Sequence, residues 1–588
     1  MGGSFLGAMG SGPLRVVGLR KLRLITKSIF RLCVLSILLA GRWPEASAIL
    51  TTQNSADRFF KIIAAGASSH RARELRGQGA SNRPANQDAE AFWKLKAEDG
   101  FSFASGAWLD SGSVQAQTQT RILPMRTIRI GLNPTRFSES GDVLAEFDTS
   151  TAQRHSRIVL TATGPFILLQ PISAGEAPTC EGDGIPIAFG GAGEAFAFTA
   201  TLGGIAVEFP SGITTSLITD IICVAPVASG ALLTVTSIRR RNLNRTGNPF
   251  EPPHYRGVLE IQRATGLGES GLRLVNVLDL EEYLQGVITN EMPASFHPEA
   301  LRAQAVAART YALANRGRFA SRGFDLDDST LSQVYRGVLS EHPSGTAAIQ
   351  STRGLVVVRE GELVPTFYSS SMGGHTEDIE WIFNVPADQL PGSNAHPALR
   401  AVHDGDFPVP VDLVSDEGAL VFYSRSWDHF DSPQRSGNSR YRWVVTRSVE
   451  FIAERLAGTR GLWLGAILDV IATLRSPSGR IAQIQIVGER GTVILQGWRT
   501  LRDFFQLLNS PSAIVPRRDA TGRVTGFDLY GGGWGHNVGM SQYGAHGRGR
   551  SGQTFREILA AYYKGTEVVS IEVEAFEKPN RVIWRGRR

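Results

Sequence analysis

From Arg126 onward the chain alternates short apolar runs with Gly, Pro and Ser, until at Asp279 the apolar spacing becomes helical. RTIRIGL, SRIVLTA, PFILLQP, AFAFTATL, GIAVEFP, ALLTVTSI and GVLEIQRA are β-branched or aromatic and predict strands. Residues 279–315, DLEEYLQGVITNEMPASFHPEALRAQAVAARTYALAN, predict two helices joined by a short turn. Asp279 suits the N-cap and Glu282 the N3 position of a capping box. Leu280, Leu284, Val287, Ile288 and Glu291 follow at helical spacing, and Pro293 forbids much continuation. The second helix opens at Pro298, favoured at N1, with Glu299 in its first turn. Leu301, Ala305, Ala308 and Ala312 form a stripe of mostly small residues that permits close packing.

Further on, GLVVV and ELVPTFY predict a hairpin across an EG turn, running into a Ser/Gly stretch. RYRWVVTRSV, ILDVIATLR, RIAQIQIVGE and GTVILQG read as strands, and VEFIAERLA and WRTLRDFFQLL as helices. SPSGR is a tight turn, and WIFNVPADQLPGSNAHPALRAVHDGD is loop-like. Residues 376–525 therefore suggest an inserted substrate-holding or docking lobe, or strands that complete one sheet with the earlier ones. Residues 49–125 are polar, rich in Arg, Ala, Gly and Asn, and read as a linker or poorly ordered segment. The expected class is α+β: a strand-rich domain over 126–572 with a central two-helix unit, followed by a basic tail, 573–588.

Composition is that of a globular protein, with 42% apolar and 20% charged residues. The formal charge of +6 belongs to residues 1–48, where Arg15, Arg20, Lys21, Arg23, Lys27, Arg31 and Arg42 face Glu45 alone. The rest balances at 54 basic and 54 acidic residues, which gives no electrostatic case for nucleic-acid binding. RRRNLNRTGNPFEPP reads as a solvated loop. The leader has a basic region, the apolar run Leu32–Ala40 and small residues Ala46-Ser47-Ala48, the layout of a signal peptide cleaved before Ile49. An uncleaved anchor is the alternative, since Ile29 and Phe30 extend the apolar run across Arg31. Beyond the leader only Cys180 and Cys223 remain, free to pair in an oxidising compartment. The expected location is outside the cytoplasmic membrane, in the periplasm or cell envelope.

One carboxyl group stands out. Glu291 shares a helix face with leucines and sits at the helix C-terminus. Desolvation and the negative end of the dipole both disfavour its ionised form. A glutamic acid so placed stays protonated near neutrality and can act as a general acid. The plainer alternative is a two-helix core unit in which Glu291 pairs with Arg309. Gln304, Arg309 and Tyr311 lie on different flanks of the second helix and cannot all face one point.

EEYLQGVITNEMPASFHPEALRAQAVAARTYALAN resembles the signature of the SpoIID/LytB family, and GGGWGHNVGMSQYGAHGRGRSGQTFREILAAYYKGTEV (Gly531–Val568) resembles its C-terminal signature. The resemblance implies work on the cell wall. SpoIID-like members are lytic transglycosylases of peptidoglycan, with the Glu of the EMP segment as acid/base; LytB-like members are enhancers of an amidase. It implies Glu291 as the catalytic residue, with Gln304, Arg309 and Tyr311 contacting sugar or tuning it. Many relatives carry C-D-x-x-x-C-Q-x-Y where this chain has Asp327 and Ser332, so a zinc site is not expected; Gln333 and Tyr335 match. Gln333 and Tyr335 would line the site, or belong to a polar loop packed against the helix pair. Ser369, Ser370, Ser371, Gly373, Gly374 and His375 offer hydroxyls, backbone donors and a chain that can approach a ligand closely, a sugar-facing wall. Trp534 offers a face for stacking on sugar, and His536, Ser541 and Gln542 offer hydrogen bonds; the alternative is a glycine-permitted turn holding Trp534 in the core.

Other chemistries lack their motifs. There is no G-x-S-x-G elbow, no G-K-[S/T] after the glycines, and His375, His536 and His546 show no H-E-x-x-H spacing. The expected partners are peptidoglycan glycan strands and an amidase or other wall machinery, with no cofactor and no metal.

Overall fold

The strand Leu272–Asp279 is buried at all but its last position, because both of its faces are covered. In the computed structural model, which describes residues 127–172, 180, 184–264, 271–383 and 395–571, it is the strand that delivers the helix pair. The leader, the 49–125 segment and the basic tail lie outside these residues. Leu272–Asp279 pairs antiparallel with Thr127–Leu132 on one side and Val258–Arg263 on the other. Ile221–Pro226, Phe166–Pro171 and Gly184–Gly190 extend that sheet beyond Val258–Arg263, and Leu326–Asp327 adds a short parallel strand at the opposite edge, making seven strands.

A second sheet of six strands runs His254–Tyr255, Leu233–Val235, Ile158–Ala162, Phe196–Thr201, Gly204–Glu208 and Thr214–Leu217. The two sheets share one apolar core, in which the rings of Phe166 and Phe196 meet edge to face at 5.4 Å. Cys180 and Cys223 do pair, with Cα atoms 5.7 Å apart. Strand-rich and mixed, the fold is α+β.

Helix α1, Leu280–Glu291, follows the strand without a loop, and the Asp279 side chain caps it by accepting from the Glu281 and Glu282 N–H groups. Helix α2, Pro298–Ala314, has Pro298 at N1 and is buried over most of its circumference. Its alanines allow close approach by α1, the helix Pro343–Ser351, the strand Leu355–Arg359 and the helices Gln542–Arg550 and Phe555–Tyr562.

The hairpin Leu355–Arg359 and Glu362–Leu363 turns at Glu360 and Gly361, both at positive φ (54° and 81°). The ELVPTFY run is not one strand. Pro365, which has no N–H to give a ladder, separates Glu362–Leu363 from Tyr368–Ser369, and the latter pairs instead with Met540–Ser541 in parallel.

The later strands pair with one another. Val524–Gly531 lies between Trp443–Ser448 and Ala513–Arg518, and Ile467–Arg475, Ile481–Gly488 and Gly491–Gln496 form a meander. With the helices Val449–Arg460 and Trp498–Phe505 they enclose a core of their own, including Ile452, Ile484, Leu501 and Phe527. Among the described residues, none of these strands joins the seven- or six-stranded sheet. No described helix is long and apolar enough to cross a membrane.

Candidate active site at the end of the first helix

Helix α1 stops where the sequence requires. Met292 N–H still reaches Ile288 O at 2.9 Å, but Pro293 cannot continue the ladder. Glu291 is thus the last helical residue, partly open to solvent yet closely surrounded by protein. Its Oε1 accepts the Val334 N–H at 2.6 Å. Burial pushes the carboxyl up to about 7, against the opposing pull of the Val334 N–H and the Arg336 charge.

The surround is built by tyrosines and one amide. Tyr283, Val287 and Glu291 form an i, i+4, i+8 row on α1. The Tyr283 hydroxyl donates to Gln333 Oε1 at 3.2 Å, and Gln333 Nε2 donates to Ala308 O at 3.2 Å and to the Tyr368 hydroxyl at 2.8 Å. Gln333 therefore ties α1, α2 and the Tyr368 strand together. The hydroxyls of Tyr283, Tyr311 and Tyr368 all feel the Glu291 charge and stay protonated, chiefly through burial. A carboxyl that titrates near neutrality among neutral phenols can give a proton and take one back.

Of the residues singled out in the sequence, Glu291, Tyr311 and Gln333 come together. Arg309 does not join them. It is fully buried, its Nε and Nη2 donate to the two Glu281 oxygens at 2.7 Å, and its Nη1 donates to Leu355 O at 3.1 Å. The Glu291–Arg309 pair of the plainer reading is not formed, and no group of Arg309 is left for sugar. Tyr335 is equally committed, its hydroxyl donating to Asn276 Oδ1 at 2.8 Å and its ring lying against Tyr255 and Tyr283. Gln304 is buried; its Oε1 accepts from Gln542 at 3.4 Å while its own Nε2 finds no partner.

The Ser/Gly stretch and the C-terminal signature meet along their backbones. Trp534 N–H donates to Ser371 O at 2.8 Å, Tyr543 N–H to Ser370 O at 3.0 Å, and Asn537 N–H to Ser369 Oγ at 3.2 Å. A Cβ on Gly533 would lie 2.4 Å from Ser371 O and one on Gly373 2.6 Å from the Gly532 carbonyl carbon, so these glycines serve the approach of two protein segments to each other.

Most of the remaining candidates are structural in their contacts. Ser371 is buried and accepts from Asn438 at 2.6 Å, and Gly374 packs against His429. His375 is held by Thr376 O and is pushed down to about 4 by burial. Ser541 caps the helix Gln542–Arg550. His536, likewise lowered by burial to about 4, accepts the Val538 N–H and lies between Phe367 and Phe383, on the Tyr368 side of the surround. Trp534 is 42% exposed, with the Arg440 guanidinium 4.0 Å from its ring centre, so it is not the core residue of the alternative reading. Ser370 is partly exposed and precedes Ser371, whose carbonyl oxygen accepts the Trp534 N–H.

Where relatives carry cysteines, Ser332 Oγ accepts the Asp327 N–H at 3.1 Å, and the Asp327 carboxylate is occupied by Asn133, Gln153 and Ser329. Ser332 meets the backbone of Asp327, and a hydroxyl and an already saturated carboxylate do not fit a zinc ion. Among the described residues, no group of three or more His, Cys, Asp or Glu converges as a metal site.

Tyr283, Tyr368, Arg336 and Glu146 were not singled out from the sequence. The helical row through Tyr283 was a usable signal. Tyr368 and Glu146 reach the site through tertiary pairing and leave no local trace.

Residues 268–358 match the family described as Stage II sporulation protein, and residues 393–539 match a domain of unknown function. An uncharacterised protein of Brachyspira hyodysenteriae is 30% identical over 299 residues, 50% of this chain and 68% of the relative. The amidase enhancer of Bacillus subtilis is 30% identical over 309 residues, 49% of this chain and only 40% of that protein. Stage II sporulation protein D of Bacillus subtilis is 27% identical over 319 residues, covering 51% and 77%. With residues 268–358, which contain the helix pair, matched by the family model and relatives of both kinds similar over about half of the chain, the chain belongs to the SpoIID/LytB family.

Proposed function

We propose that this chain acts in the bacterial cell envelope as a lytic transglycosylase of peptidoglycan, with Glu291 as general acid and base. The observation that carries the reading is a carboxyl at the open end of α1, raised to about 7, with no guanidinium bonded to it. Protonated Glu291 gives its proton to the glycosidic oxygen between N-acetylmuramic acid and N-acetylglucosamine. The resulting carboxylate takes the proton of the muramic C6 hydroxyl as that oxygen closes on C1, leaving a 1,6-anhydro end. Because an internal hydroxyl replaces water, one carboxyl serves both steps. The neighbouring acids Asp327 and Asp328 support this one-carboxyl scheme, since both are buried and already bonded. Tyr311 and Tyr368 line the reacting end; Ser370, His536 and the exposed Trp534 continue the wall as a sugar-holding surface.

The test is to incubate the purified protein with peptidoglycan, intact and stripped of stem peptides, and to look for 1,6-anhydro-muramyl products by mass spectrometry. Wild type should release them, and Glu291→Gln, which keeps shape but has no transferable proton, should lower turnover by about 10²-fold or more. Undiminished activity in a folded Glu291→Gln protein sinks the mechanism. Binding without any release would favour the reading of an amidase-enhancing wall protein, for which the likeness to the amidase enhancer stands.

A further inference from the structure

Arg336 follows closely on Val334, whose N–H holds Glu291, and it reaches back over the end of α1 to donate to Asn290 Oδ1 at 2.8 Å. A bare guanidinium beside Glu291 would hold it as a carboxylate, which is a poor acid. Arg336 is not bare. Its Nε and Nη2 donate to the two oxygens of Glu146 at 2.6 and 3.0 Å, and its guanidinium lies 5.6 Å from the Phe147 ring centre. Glu146 is itself fixed by the Arg241 N–H at 2.8 Å.

We propose that Glu146 and Arg336 form a positioning pair that sets how readily Glu291 gives and regains its proton, rather than a mere fastening of two loops. The inference rests on the reading of Glu291 as acid and base. Burial opposes the charge on Glu146, but the bonds and charge of Arg336, the Arg241 N–H and the charge of Arg240 together hold it ionised. The other titratable groups acting around Glu291 are the neutral hydroxyls of Tyr283, Tyr311 and Tyr368. Arg336 is the full charge that acts on Glu291, and Glu146 offsets it. Removing one member of the pair must then move Glu291 in the opposite direction from removing the other, which a fastening role does not require.

The experiment reads Glu291 without any substrate. The full chain is labelled with a carbodiimide and an amine over a range of pH, since only the protonated carboxyl reacts efficiently. Modification of the Glu291 peptide is quantified by mass spectrometry, with melting temperature measured on the same preparations. Glu146→Gln unshields Arg336 and should lower the Glu291 midpoint by roughly one pH unit; Arg336→Gln leaves Glu146 uncompensated and should raise it by about as much. Arg336→Lys keeps the charge and should stay within a few tenths of a unit. Folded glutamine variants whose midpoints stay put, or move the same way, overturn the proposal. If one glutamine variant is too unstable to label, the other decides, with Arg336→Lys as its control: a midpoint shifted in the stated direction supports the pair, and an unmoved one overturns it. Oppositely moving midpoints in a protein that releases no anhydro product sink the transglycosylase reading and leave the pair standing; normal product with unmoved midpoints sinks the pair alone.

Discussion

Glu281 in the first turn of α1 and Glu291 in the last have the same side chain on the same helix, yet their surroundings are opposite. Glu281 accepts two parallel bonds from a fully buried Arg309 and sits at the positive end of the helix dipole. Glu291 accepts one backbone N–H, has no bonded cation and sits at the negative end. The first arrangement braces α1 against α2. The second leaves a proton negotiable near pH 7. A carboxylate's role is thus decided by which end of a helix it occupies and by what the next helix presents to it.

The contrast can be broken at either end. The largest effect is expected from Arg309→Ala, which strands Glu281 without its partner; denaturant unfolding should show a loss of about 3–5 kcal/mol. A variant of normal stability that had lost only turnover would return Arg309 to the substrate. Glu291→Gln should do the reverse, preserving the fold at neutral pH while product release collapses.

Its stability should also depend on pH in a defined direction. Glu291 keeps its proton in the folded state up to about 7, against an ordinary value of 4.5, so its favourable contribution is complete below pH 4.5 and is lost as pH rises toward 7. The glutamine variant should therefore gain stability relative to wild type across that window. Buried neutral histidines such as His155 and His375, both lowered to about 4, impose the opposite slope below pH 6.5, but they are common to both proteins and cancel in the difference. A flat difference would mean that Glu291 is paired as Glu281 is. The smallest effect belongs to Asp279→Ala, which removes the α1 cap and should cost about 1 kcal/mol in thermal unfolding while leaving the Glu291 midpoint in place.

Local rules made the helix pair and most of its strands legible: Asp279, Pro293 and Pro298 mark ends that the fold respects. Strands with mixed signals were missed. IICVAP and GIPIAFG carry Pro or Gly within the run, and the latter is a sheet edge with exposed Ile185 and Phe189. Glu291 was legible as a candidate because its place at the end of α1 follows from its own helix, whereas Val334, Gln333, Tyr311 and Tyr368 reach it from other elements. Arg309 was misread because Glu281, its partner, sits on the other helix, and charge alone does not say which of several acids a guanidinium will meet. Trp534, read as a face for stacking on sugar, is exposed beside Arg440, whereas the glycines around it serve protein against protein.

The pairing of Tyr368 with Met540, and the bond from Phe555 N–H to Glu299 Oε2 at 2.7 Å, join segments that are made far apart in time. When α1 and α2 leave the ribosome, the segments that pack on Tyr368 and on the start of α2 do not yet exist. Closing loops of this length is slow and comes late in folding. A nascent or truncated chain ending before Gly531 therefore holds Glu291 without the Met540 strand and the C-terminal helices that pack around the helix pair. Under the proposed reading of Glu291, the site is complete only when the last part of the chain has arrived and docked.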